Sequence, residues 1–455
     1  MPSKLKVVPN ARLGAGCRLV GTRRNGHRST SRRGATTLLV SDHESTMRRG
    51  FLNGKKESKD DGREVNDLST TPAAASKTKS RPTGPDIAGN IYCTIPEDAA
   101  PGEQVTECYI DPTRRAALNK IPGFPQPMQP PGEVLFRLGE SPGKGMGLFA
   151  TRKIKQSELI SDHRPLLLSP MSLRLPMHVQ MAMVLGGRDV LSESIENLVQ
   201  RMTPSNRARY MALANSHPEA GAELGIFQTN CEGTRALNEV GDVVIKKHGQ
   251  CRFSTVCDVI SRMNHSCSPN TSTYFIKQSF SWRVWATRDI EEGEELTSSY
   301  TIMLASASTR QRMLADYAFQ CQCPACTDAS ASNARRAKII EVDFNPELGL
   351  KWINDASLSD DWLVEKCHAQ IALIEQEGLE TSEEYWEVFV TLMRVYLCLG
   401  DIKTARKWAA RAYECQWVHL HREAVDGQDV ALVLDEASME YERHIVWCSR
   451  VKEEQ

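Results

Sequence analysis

The 455-residue chain has no apolar run approaching the ~20 residues that carry a helix across a bilayer. No apolar stretch follows Met1, so no secretory leader is expected. An excess of either charge is missing too: 56 Lys and Arg against 57 Asp and Glu leave a formal net charge of −1. The chain as a whole therefore does not look like a nucleic-acid binder. Acidic residues are absent before Asp42, whereas Lys4, Lys6, Arg12, Arg18, Arg23, Arg24, Arg28, Arg32 and Arg33 all precede it. Cysteine is absent from residues 160–225, although the chain holds 14 elsewhere. Those are mostly scattered, as at Cys17, Cys93, Cys108, Cys367 and Cys448, which favours a reducing compartment and thiols held free or on metal.

This length allows two or three domains. Residues 1–128 read as a disordered basic and polar region, because their composition buries too little apolar surface to offset chain entropy. The Arg-rich start fits a solvated tail, a mitochondrial transit peptide, or a nuclear or nucleic-acid-binding arm; direct nucleic-acid binding is expected only through it. Pro122, Pro125, Pro127, Pro130 and Pro131 close the region as a stiff linker. Strands are then expected at 134–138 and 147–151 around a glycine loop. Residues 166–222 read mainly as helix. Further strands are expected at 242–246, 271–276 and 282–287, with a turn and strand across 289–296. From Ala331 the pattern is helical. Trp386, Val390, Met393 and Leu397 share one face, Gly400 and Asp401 break the run, and Ala405, Ala409 and Ala412 mark the next helix. This small-residue pair resembles a tetratricopeptide unit, although one pair does not make a solenoid.

Three segments carry chemistry. Cys321, Cys323 and Cys326 put three thiols close together, and a structural zinc site takes four ligands, for which Cys267 is the candidate fourth. Closed tetrathiolate coordination leaves no open position, so such a zinc would be a clasp and not a reactant. The loop from Gly143 to Gly147 lets backbone approach a ligand closely. It is not a P-loop, because Gly145 follows Lys144 where Ser or Thr is required, and no helical run follows as a dinucleotide fold demands. Cys267 beside His265 suggests a thiol nucleophile, but no third group to orient the pair is evident. Asn264 and Asn270 begin formal glycosylation sequons, idle in an intracellular chain.

Taken in order, Gly143-Lys144-Gly145-Met146-Gly147-Leu148-Phe149-Ala150, Gly225-Ile226-Phe227-Gln228-Thr229-Asn230, Asn264-His265-Ser266-Cys267, the run from Glu295 to Tyr300, and the three late cysteines resemble the SET-domain protein lysine methyltransferases. The similarity is to the branch that includes SMYD proteins and covers roughly residues 130–330. It implies an α+β fold: a SET β-clip core of short strands at 129–329, a helical insert at about 165–225, a zinc-bound post-SET segment at about 317–329, and an all-α, tetratricopeptide-like region at 330–455. It implies S-adenosylmethionine as methyl donor, held by Lys144, Gly145, Met146, Gly147, Asn230, Asn264, His265, Tyr300 and Phe319. Tyr300 would be catalytic, Tyr317 would line the lysine channel, and Cys267, Cys321, Cys323 and Cys326 would bind zinc. The MYND zinc module of SMYD proteins is absent, since residues 160–225 lack cysteine; the insert and the C-terminal helices would then set the substrate groove.

The implied reaction needs a deprotonated lysine, whose free pKa is near ~10.4, so the site must desolvate the amine or let water carry its proton away. The rest is alignment and electrostatics. The expected partner is a protein bearing a target lysine, histone or other. A monomer in the nucleus or cytoplasm is expected, with no membrane association and with mitochondrial targeting as the alternative. A non-catalytic SET-fold adaptor is the competing reading.

Overall fold

The structure, a computed structural model, describes residues 85–450 except 172, 174, 176, 185–188, 235, 238–252, 343, 417–427, 437–438 and 445. The basic arm and the strand expected at 242–246 lie outside the described residues.

The first correction concerns the N-terminal region. Residues 85–128 do not continue the expected disorder: they form β1 (Ile91–Ile95), β2 (Thr106–Ile110) and α1 (Pro112–Leu118). Ile95, Cys108, Tyr109, Ile110 and Leu118 are fully buried there. An average taken over a long polar stretch hid these two short apolar segments. Asp111 caps α1 by accepting from Arg114 N at 2.9 Å, and Pro112 occupies the first turn, where its missing N–H is not needed.

β1 and β2 pair antiparallel, with Ile91 opposite Ile110 and Ile95 opposite Thr106. β2 then lies parallel to β6 (Leu167–Pro170), which pairs with β8 (Phe253–Val256), and β7 (Glu232–Thr234) closes the edge. Side chains alternate across a strand. Cys108, Ile110 and Leu168 enter one core while Tyr109 and Leu167 enter another, so this sheet is a wall covered on both faces. Its first cover comes from α3 (Val190–Arg201), α4 (Pro204–Met211) and α5 (Ala222–Asn230), through Ile195, Leu198, Tyr210 and Phe227. These and α2 (Met177–Val184) account for the expected helical stretch, apart from its beginning, which the wall recruits as β6.

The second cover is two further sheets. One orders β10 (Thr271–Ile276), β11 (Ser281–Ala286) and β5 (Leu159–His163). The other orders β3 (Phe136–Ser141), β4 (Gly145–Ala150), β12 (Glu295–Ser298) and β9 (Asn264–His265). Leu148, Phe275, Phe280, Trp282 and Leu296 fill the core between them and the wall, and Trp282 Nε1 donates to Thr255 Oγ1 at 2.8 Å.

Beyond β12 the chain is helical: α6 (Ala307–Met313), α7 (Pro324–Thr327), α8 (Ala329–Glu341), α9 (Pro346–Asn354), α10 (Trp362–Glu377), α11 (Glu383–Cys398), α12 (Ile402–Cys415) and α13 (Gln428–Leu434). α11 buries more than the one stripe read from its sequence. Tyr385, Phe389, Met393 and Leu397 enter one cluster, whereas Val388, Leu392, Val395 and Cys398 enter a second. A helix apolar all round must be packed all round. Ala405, Ala409 and Ala412 are fully buried in the first cluster, where their small side chains let α12 approach α11 closely. No helix among the described residues is long and apolar enough to cross a membrane.

Candidate active site and metal cluster

β3 and β4 form a hairpin in which Ser141 faces Gly145 and Glu140 faces Met146. Its turn requires glycine, because Gly143 and Gly145 take φ of +73° and +75°, values that L side chains rarely adopt. Gly147 is needed for a different reason. A Cβ there would lie 2.4 Å from Glu295 Oε1 and 2.9 Å from Asn264 Nδ2. Glu295 is what ties the hairpin down: its carboxylate accepts from Lys144 Nζ at 3.0 Å and from Asn264 Nδ2 at 2.8 Å. Asn264 Nδ2 also donates to Met146 O at 3.2 Å.

Asn264 and His265 meet this hairpin because β9 lies parallel to β12, with Thr297 beside Asn264 and Ser298 beside His265. Buried Asn270 fastens the same strand: its Oδ1 accepts from Thr297 N at 2.8 Å, and its Nδ2 donates to Glu295 O at 2.9 Å. Its burial, at 1% exposure, also removes the second sequon from use.

His265 joins two functional groups. Tyr300 N–H donates to its Nδ1 at 3.0 Å, and its Nε2 lies 3.2 Å from Cys267 Sγ. A backbone N–H can only donate, so Nδ1 is the bare nitrogen and Nε2 carries the proton. His265 thus donates to the Cys267 sulfur and cannot act as its base, which removes the thiol-nucleophile reading. The Tyr300 hydroxyl donates to Met263 O at 2.6 Å. The Tyr317 ring lies 4.9 Å from Tyr300, and Phe319 lies 6.2 Å from His265, centroid to centroid. Both rings also pack in the small cysteine-containing core, so the site wall and the core of the cysteine segment are one structure.

The sulfurs of Cys267, Cys321, Cys323 and Cys326 all lie within 4.8 Å of one another, and Cys267 and Cys326 are 3.5 Å apart. Metal–sulfur bonds of about 2.3 Å in a tetrahedron give sulfur–sulfur edges of roughly 3.8 Å, so the set fits zinc. As bare thiols, Cys267, Cys321 and Cys323 compete for charge. Hydrogen bonding to Cys321 and Cys323 pushes the Cys267 thiol far up, while the Cys267 and Cys321 bonds pull Cys323 far down. A dication relieves that conflict by stabilising all four thiolates together.

Two buried arginines brace the cluster. Arg310 on α6 donates to Ala305 O at 2.5 Å and Ala325 O at 3.2 Å, and reaches Cys326 Sγ at 3.9 Å. Arg336 on α8 donates to Cys267 O at 3.0 Å, to Met303 O, and to Glu377 Oε2 at 2.9 Å. Neither arginine nor Glu295 was assigned a role from sequence. The arginines lie outside the motifs, and Glu295, which opens one, acts across the fold on Lys144 and Asn264. Asn230 differs from the other expected site residues: its Nδ2 is committed to Ala214 O at 2.6 Å and Ile226 O at 2.8 Å. Its backbone carbonyl accepts from Ser261 Oγ at 3.2 Å, just ahead of Met263.

Comparisons with known proteins agree with this geometry. Residues 145–301 match the family model described as SET domain. The chain is 27% identical over 202 residues to the histone-lysine N-methyltransferase set5 of Schizosaccharomyces pombe, covering 44% of this chain and 53% of that protein. It is 29% identical over 181 residues to the N-lysine methyltransferase SMYD2-B of Danio rerio, covering 39% of each. Over 89 residues it is 47% identical to the human histone-lysine N-methyltransferase SMYD3, covering 17% of this chain and 20% of that protein. The chain thus spans about half or less of the length of these curated relatives.

Proposed function

We propose that this chain, which carries a SET domain and is similar to SMYD-type and set5 lysine methyltransferases, transfers a methyl group from S-adenosylmethionine to a lysine side-chain amine of a protein substrate. The observation that carries the proposal is Tyr300. It is 8% exposed, with its backbone N–H on His265 and its hydroxyl proton on Met263 O, where the Asn264–His265 strand, the glycine hairpin and the Tyr317 and Phe319 rings converge.

When bound, the cofactor supplies an electrophilic methyl group on a sulfonium. The chain's own groups do the rest. Gly147, without a side chain, leaves backbone open beside Asn264 and Glu295, and the Lys144–Met146 loop flanks it. Asn264, the His265 backbone, the Oδ1 of Asn230 and the Phe319 ring offer polar contacts and a stacking face for the donor's amino-acid end and adenine. Because the Tyr300 proton is already given to Met263 O, its oxygen presents lone pairs to a positively polarised methyl and need not ionise. Tyr317, packed on Tyr300, would form the wall of a channel that admits the lysine stem. No carboxylate is assigned as base; the substrate ammonium would lose its proton to water, and Tyr300 and Tyr317 would hold the free amine in line with the donor's methyl, so that the new N–C bond replaces the S–C bond and the neutral thioether departs. The four cysteines would hold a structural zinc, which would keep His265, and so Tyr300, in position. The helical insert and the tetratricopeptide-like C-terminal helices would border the substrate groove.

The test is tritium transfer from labelled S-adenosylmethionine to histones and to whole-cell lysate. Wild type should transfer label, and Tyr300→Phe should lower kcat by roughly 10²–10³-fold, the scale of one lost electrostatic contact in a transition state. Donor binding without any transfer by wild type would reject catalysis in favour of a non-catalytic adaptor.

A further inference from the structure

Arg310 and Arg336 are both fully buried beside the cysteine cluster, at 0% and 1% exposure, but their charges are met differently. Arg336 pairs with the buried carboxylate of Glu377. Among the described residues no carboxylate forms an ion pair with Arg310. Its oxygen partners are the neutral carbonyls of Ala305 and Ala325, its Nε has no hydrogen-bond partner, and its remaining interactions are with the sulfurs of Cys326 and Cys267. A guanidinium cannot give up its proton inside a protein. Burying one against carbonyls alone is strongly unfavourable, so a counter-charge is needed.

The cluster has the opposite problem. A dication held by four thiolates leaves two uncompensated negative charges in a corner where Cys267 and Cys321 are buried and Cys323 and Cys326 are half-buried. The His265 N–H at Cys267 offers one neutral dipole. Arg336 reaches the Cys267 carbonyl, not a sulfur, and its Nε pairs with Glu377, a carboxylate that Arg335 also engages. We propose that Arg310 is the counter-charge of the metal–tetrathiolate centre, and that it sets how tightly the four cysteines keep a divalent metal such as zinc. The inference rests on the reading that these cysteines hold a metal. It goes beyond that reading by assigning the residue that neutralises the centre.

The experiment uses the full chain with three substitutions, Arg310→Gln, Arg310→Lys and Arg336→Met. Zinc affinity is read by competition with a chromophoric chelator, and the sulfur-to-metal charge-transfer band is read after cobalt(II) replaces zinc. Arg310→Gln keeps a donor for the carbonyls but removes the charge. It should lose ~10–100-fold in zinc affinity, the usual range for groups just outside a metal's ligands. Its band should move to the red, because sulfur orbitals rise in energy when a neighbouring cation is removed. Arg310→Lys keeps the charge and loses the fork, and should show smaller changes in the same direction. Arg336→Met should lower thermal stability yet leave the band in place, which separates counter-charge from general packing. A wild-type band and affinity in Arg310→Gln would overturn the proposal. If that variant does not fold, Arg310→Lys decides: because it keeps the charge, a full loss of affinity with a full band shift there overturns the proposal, as does an equal band shift in Arg336→Met. Wild-type protein that binds no zinc would instead bring down the metal reading, and this inference with it.

Discussion

The five-stranded wall and the cysteine corner belong to one chain but are held by different forces. The wall buries Ile95, Ile110, Leu167, Leu168 and Phe253 from both faces, and each such side chain contributes about 1.5–3 kcal/mol of apolar burial. The apolar core of the corner is small: Cys267, Tyr300, Leu314, Cys321 and Ala325. What fixes it is a series of directed contacts: Tyr300 to His265, His265 to Cys267, Cys267 to the cluster, and Arg336 back to Glu377. A hydrophobic core tolerates small shifts of its members. A hydrogen-bonded series ending on a cysteine cluster that could hold a metal does not, and that would suit the role proposed for Tyr300.

The sharpest way to break this contrast is Cys323→Ser or chelation of the metal. Apparent binding energies of structural zinc in small domains reach about 10–16 kcal/mol, all of it folding energy. Amide exchange should become fast from Tyr300 through Cys326 while β2 and β6 stay protected, and methyl transfer should vanish. Equal loss of protection in both regions would show that the wall depends on the metal as well.

Next in size is Glu377→Gln, which leaves Arg336 charged and buried without its carboxylate, at a cost of about 3–5 kcal/mol in a thermal or denaturant melt. It carries a pH signature. Burial pushes the Glu377 carboxyl up, but bonds from Ser332, Arg335 and Arg336 outweigh it and hold the group below the usual range. Its stabilisation is therefore complete above the ordinary glutamate pKa of ~4.3 and is lost as pH falls through the lower folded value. The variant should lose that part of the acid limb.

Leu168→Ala sharpens the comparison from the other side. It removes a fully buried wall residue and should cost about 2–5 kcal/mol, with zinc content per folded protein unchanged. The smallest effect is expected from Gly147→Ala, about 1–3 kcal/mol of overpacking. It should show itself chiefly as weaker S-adenosylmethionine binding in calorimetry, because the new Cβ forces Glu295 and Asn264 aside; unchanged binding would remove Gly147 from the proposed cofactor surface.

Much of the site could be read in the chain because its parts are local. The hairpin glycines state their own backbone requirement, three cysteines within six residues announce a metal, and the stripe in α11 follows helical spacing. What escaped was non-local or diluted. β1 and β2 were hidden in a polar average, although their buried residues alternate as a sheet needs. The hold of the turn of chain at Ala214 on the Asn230 amide nitrogen is likewise non-local, and it leaves the Oδ1 for the polar contact that the resemblance implies.

Residue types and their order by themselves determined that this protein would carry a glycine hairpin, an Asn-His pair, a late tyrosine and a thiol cluster, because each needs only its neighbours to define it. Only the tertiary structure decided that β9 runs parallel to β12, that His265 keeps its proton on the nitrogen facing Cys267, and that Arg310 has sulfur where Arg336 has a carboxylate. The reason is physical: protonation and charge pairing depend on distances between groups far apart in sequence, and those distances exist only once the chain is packed.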